Sequence, residues 1–130
     1  MFHFTVTSPY TLDQTVDRAA EAFQEESFGV LWNFDVKGKL DEKGVGLDEG
    51  FRVLEVCSPK VAKDALSATK EAGYFLPCKV VAYEEENEVK IGMPRPTVLM
   101  KQTGNKEAEK LAEDVEERMS RALEAAVKSE

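Results

Sequence analysis

Apolar and polar residues alternate at the start of the chain, with Phe2, Phe4 and Val6 set against His3, Thr5 and Thr7, which predicts a strand with one buried face. Leu12, Val16, Ala19, Ala20 and Phe23 then recur at helical spacing. Thr11 and Gln14 form a capping-box pair ahead of them, so a helix is expected to run to about Glu25. Phe28, Val30, Trp32, Phe34 and Val36 alternate again and give the clearest strand signal in the sequence. From Lys37 to Gly50, four glycines stand among charged residues, a composition that predicts a mobile connection holding a short helical turn.

Phe51 to Cys57 reads as a third strand. Ser58-Pro59 then places an N-cap residue before a proline at the first helical position. The helix that follows should bury Val61, Ala62, Ala65, Leu66 and Thr69 and stop at Gly73. Phe75 to Tyr83 and Val89 to Met93 read as two strands joined by a turn in the polar run Glu84 to Glu88. Pro94 and Pro96 interrupt regular pairing, with a short extended piece expected at Val98 to Met100. Asn105 caps a last helix whose stripe is Leu111, Val115, Met119, Ala122 and Ala126. The order β-α-β-β-α-β-β-α predicts an α+β protein with one sheet and helices packed mainly on one face, as a single domain over residues 1–130.

Composition narrows the partners. The chain carries 25 acidic against 17 basic residues, a net charge of −8, which repels phosphate backbones and anionic lipid; neither nucleic acid nor a membrane is an expected partner. The N-terminus lacks the charged and apolar regions of an export signal, so the expected location is cytoplasmic, where two cysteines stay reduced.

Three segments carry a family resemblance: Phe28-Gly29-Val30-Leu31-Trp32, then Cys57-Ser58-Pro59-Lys60, then Leu76-Pro77-Cys78-Lys79-Val80-Val81-Ala82-Tyr83-Glu84. In order and spacing they resemble the domain-of-unknown-function family numbered 302, through about residues 28 to 93. The resemblance implies a fold like one copy of the TATA-binding-protein architecture, an antiparallel-rich curved sheet with helices against it, and a homodimer. It implies no catalytic residue, since the family has no settled activity, and fold likeness does not carry DNA binding with it.

Candidate chemistry is sparse. Cys57 ends a strand just before the Ser58 helix, where the helix dipole would lower a thiol pKa and favour the thiolate. Set against that is the ordinary behaviour of cysteine as a small buried apolar residue. A direct crossover through the intervening helix would place Cys57 and Cys78 at opposite ends of a βαβ-like unit, too far apart for a disulfide or a shared metal. His3, the one histidine, lies in the polar phase of its strand, and one His with two separated Cys does not make a zinc motif. Asp13, Asp17, Glu21 and Glu25 form an acidic row opposite the apolar stripe of the first helix, where a solvated face belongs. Neither phosphate-loop glycine spacing nor a nucleophile elbow is present.

The leading expectation is a dimeric small-molecule-binding or assembly domain without recognised catalysis and with no cofactor indicated. In that reading the sheet and the first and last helices enclose an apolar pocket lined by Trp32 and Tyr83. Cys57 and Cys78 stand with Trp32 and Tyr83 as candidate ligand-binding residues, and the alternative is a thiol-dependent redox or metal-handling role centred on Cys57.

Overall fold

The computed structural model describes residues 1–129. Strand β1 (His3–Ser8) leads into helix α1 (Leu12–Glu25), whose capping box forms in both directions: Gln14 N donates to Thr11 Oγ1 and Thr11 N to Gln14 Oε1, each at 3.1 Å. The inward stripe of α1 is Thr15, Val16, Ala19 and Phe23. Ser27, at φ 67, turns the chain into β2 (Gly29–Asp35). Asp35 then caps the short helix α2 (Val36–Glu42) by accepting from Gly38 N.

Strand β3 (Phe51–Cys57) is followed by α3 (Pro59–Ala68), which starts at Pro59 as the Ser-Pro pair predicts. It stops sooner than expected. Thr69 adopts an extended backbone and its hydroxyl caps a 3-10 turn, Lys70–Phe75, so Gly73 lies inside that turn instead of ending the helix. The next strand is correspondingly later: β4 is Cys78–Glu85, because Phe75 belongs to the 3-10 turn and Pro77 has no N–H for the ladder. β5 (Glu88–Pro94) returns through a two-residue turn in which Glu86 and Asn87 both have positive φ. The extended piece expected at Val98 to Met100 is instead helix α4 (Pro96–Lys101), since Pro96 fixes a helical φ at its first position. α5 (Lys106–Ala126) closes the chain, capped by Asn105, whose side chain accepts from Ala108 N and donates to Ala68 O.

The five strands form one antiparallel sheet in the order β1-β5-β4-β3-β2. Helices α1 and α5 pack side by side on one face. There Phe23, Phe28, Leu54, Ile91, Met93, Met119 and Leu123 are all fully buried, each worth about 1.5–3 kcal/mol over exposure. A second cluster, Ala65, Ala72, Met100, Ala108 and Ala112, fixes α3 and α4 against the first half of α5.

Polar ties hold the frame around this core. Arg18 Nε donates to Ala126 O (2.7 Å) and Tyr10 Oη to Lys128 O (2.7 Å), which satisfies the carbonyls at the end of α5. Arg121 forks onto the Glu26 carboxylate at 2.8 and 2.9 Å. The Glu116 carboxylate accepts from Thr97 N, Thr97 Oγ1 and Arg95 Nε, so α5 caps α4. Burial pushes the Glu116 pKa up, but the Thr97 and Arg95 hydrogen bonds outweigh it and hold the carboxyl below its ordinary value.

Two outcomes are expected. Glu86→Asn, which relieves a long side chain of positive φ in an exposed turn, should raise unfolding stability by on the order of 0.5–1 kcal/mol in urea titrations. The contribution of Glu116 should be fully present above the ordinary glutamate range and lost as pH falls through its depressed folded-state pKa; Glu116→Gln should remove that part of the acid dependence of the melting temperature.

Candidate functional site

In antiparallel ladders paired residues share a face and successive residues alternate, so the register fixes what each side of the sheet carries. Leu54, Val56, Val80, Ala82 and Ile91 point toward α1 and α5. The outer positions are Thr5 and Thr7 on β1, Lys90 and Gly92 on β5, Lys79, Val81 and Tyr83 on β4, Phe51, Val53, Glu55 and Cys57 on β3, and Trp32 and Phe34 on β2.

This outer face is unusually apolar for a solvated sheet surface, which ordinarily reads polar. Tyr83 and Phe51 are stacked with ring centroids 5.5 Å apart, and Trp32 and Phe34 at 4.9 Å with planes 7° apart. Val53 and Val81 pair between these two aromatic couples. None of the six belongs to either buried cluster, and Trp32 is 49% exposed.

Trp32 reaches this side through a bulge. The register shifts between Val30 and Trp32, so Val30 opposes Val56 on the core side while Trp32 opposes Glu55 on the outer side. In a regularly paired strand Trp32, two residues after Val30, would have stayed in phase with it; leaving Leu31 unpaired puts the two on opposite faces. Trp32 and Tyr83 therefore line no pocket enclosed by the first and last helices; they stand on the opposite side of the sheet. The space under the helices is filled by core side chains, and the gap beside Cys78, among Val61, Leu76, Met100 and Val115, is about 20 Å³, apolar, and large enough for about one water with no polar partner.

The expectation for the two cysteines needs correction. β3 and β4 are antiparallel neighbours, with no parallel crossover between them, and Val56 pairs with Cys78, so Cys57 and Cys78 lie at the same end of the sheet in successive registers. They point to opposite faces: Cys78 packs against the core, Cys57 lies beside Gly29 on the outer side. Both are free, and diverging Cβ vectors keep them so without backbone movement. The helix start does not lower the Cys57 pKa. Burial pushes it up, and burial together with the neighbouring Cys57 pushes Cys78 up to about 11.

His3 Nδ1 lies 2.8 Å from Thr5 Oγ1, on the outer face as its polar phase predicts. The acidic row of α1 is exposed at Asp13, Asp17, Glu21 and Glu25. Among the described residues, no group of three or more His, Cys, Asp or Glu is placed to hold a metal, and no helix is long and apolar enough to cross a membrane. Sequence reasoning passed over Phe34, Phe51, Val53 and Val81 as members of a site. Their signal is the run Val80-Val81-Ala82-Tyr83, apolar in both phases, where a half-solvated strand alternates.

The family model for Domain of unknown function DUF302 matches residues 4–126. The crystal structure of an uncharacterized conserved protein DUF302 from Bacillus stearothermophilus is similar to this chain with a TM-score of 0.94 at 40% identity, over 97% of this chain and 98% of that one. No curated protein matches.

The thiol geometry has a direct readout. Because the thiolate is the attacking species and both pKa values are raised, alkylation by iodoacetamide should be slower than for a free cysteine at pH 7 and accelerate with rising pH. Mass mapping should place the first adduct on Cys57, with Cys78 unmodified until the protein unfolds.

Proposed function

The chain belongs to the DUF302 family, and from that premise we propose that it is an assembly domain, a homodimer in which a second copy covers the outer face of the sheet. The observation that carries this reading is the row of apolar side chains at outward positions of β2, β3 and β4: Trp32, Phe34, Phe51, Val53, Val81 and Tyr83. Trp32 is exposed and the other five are half-buried, and a contiguous solvent-facing apolar patch of this kind marks an interaction site.

Size and charge favour a second copy as the partner. Five strands about 4.8 Å apart and about 20 Å long give roughly 500 Å² in projection, and more in accessible area because side chains stand off the backbone. That approaches the roughly 600–1,000 Å² per partner of specific interfaces. The face is nearly neutral, with Lys79 and Lys90 against Glu55 within the sheet and Glu85 and Glu88 at the hairpin tip. Two chains of net charge −8 can meet there because the charges on this face nearly cancel. The core side of the sheet offers no room for a small molecule, since the gap beside Cys78 is no larger than a water site; the clefts of about 620 and 590 Å³ lie open beside α5 and are lined mostly by charged and polar side chains. Two free thiols suit a reducing compartment, and we place the protein in the cytoplasm.

Val81→Glu sets a carboxylate in the middle of the face without touching the buried core. Light scattering should show the unaltered chain as a dimer at micromolar concentration and the variant as a folded monomer with unchanged far-UV dichroism. A monomeric unaltered chain sinks the proposal.

A further inference from the structure

The outer face is graded in size from one side of the sheet to the other. Along its central row the registers place Thr5, Gly92, Val81, Val53 and Phe34 side by side on β1, β5, β4, β3 and β2. Side chains thus grow from the β1–β5 side to the β3–β2 side. Phe51 and Trp32 extend the bulky half in the adjacent rows; opposite them stand Thr7 and Lys90 in one row and His3 and Pro94 in the other, so the gradient is steepest in the central row. Gly92 cannot grow: a Cβ there would come within 2.3 Å of Thr5 Oγ1 and 2.7 Å of Phe4 O, so the low side is fixed by backbone and a close neighbour.

Resting on the dimer reading above, we infer that the two-fold axis of the dimer runs parallel to the strands along β4, so that the bulky half of each sheet seats on the slight half of the other. Facing sheets pack about 10 Å apart with interdigitated side chains at interior density, and only a few orientations satisfy this. A two-fold axis relating stacked sheets lies between them, either along the strands or across them. An axis across the strands sets Phe34 on Phe34 and Gly92 on Gly92, which overpacks one side and leaves a void on the other. An axis along β4 sets Phe34 of one copy over Thr5 of its partner, Val53 over Gly92 and Val81 over Val81. In the central row each thick position then meets a thin one, and in the rows beside it Trp32 lies over the partner's His3 and Phe51 over the aliphatic stem of the partner's Lys90. Lys79 lies near the axis in both copies, and Glu55, its cross-strand neighbour on the same face, offsets the two ammonium groups.

The test is thiol cross-linking with a short bifunctional maleimide in a Cys57→Ser background, where Cys78 stays on the core side. Val81→Cys reports whether the face is shared at all and should link to its own copy. Thr5→Cys and Phe34→Cys should each give little dimer alone and a cross-linked majority when combined in one chain. His3→Cys with Trp32→Cys repeats the comparison one row away, in case loss of Phe34 loosens the dimer. Linking by Val81→Cys together with efficient linking by Phe34→Cys alone overturns the axis while leaving the dimer reading intact. A monomer, or a dimer in which Val81→Cys does not link, overturns both.

Discussion

Burial of one face of the antiparallel sheet beneath α1 and α5 is the constraint from which the rest of the molecule follows. Phe23 from α1, Met119 and Leu123 from α5, and Leu54 and Ile91 from the strands occupy that layer with essentially no exposure. The two helices are tied to each other's C-terminal ends: Arg18 donates to the last carbonyl of α5 and Tyr10 to Lys128 O just beyond it, and Arg121 grips Glu26 where α1 ends. Once these helices share one side, the other side is left with the aromatic and valine side chains of β2, β3 and β4. The apolar residues there are the feature that a two-layer fold by itself leaves unexplained.

Much of this was legible in the sequence because local signals and tertiary demands agreed. Thr11 with Gln14, Ser58 with Pro59, and Asn105 each mark a helix start where one is found, and the alternation of Phe51 to Cys57 and Val89 to Met93 marks strands. The misreadings are of another kind. At Trp32 the alternation holds on both sides of Leu31, but the bulge changes which face each half addresses, and a bulge is a property of pairing that neither strand encodes alone. At Val98 to Met100 the two prolines at 94 and 96 read as strand breakers in sequence, whereas Pro96 starts a helix.

The two cysteines show how topology governs chemistry that spacing only suggests. A helix between two strands suggested a crossover connection, which would have separated the thiols by the length of the sheet. The strands are instead antiparallel neighbours, and what divides Cys57 from Cys78 is the thickness of the sheet. Proximity in register therefore brings no shared reactivity: one thiol borders the core beneath the helices, the other the outer surface, and burial raises both pKa values.

The bulge that carries Trp32 to the outer face also lies in an end strand of the sheet, where the backbone offers unfilled hydrogen-bonding positions to any further strand. Head-to-tail growth by strand addition at both edges has no stopping point and leads to fibres, whereas an isologous contact closes after two copies. By interrupting the regular pairing of the end strand, the bulge at Leu31 makes that edge a poorer template for a further strand, and the same irregularity leaves Trp32 on the broad surface.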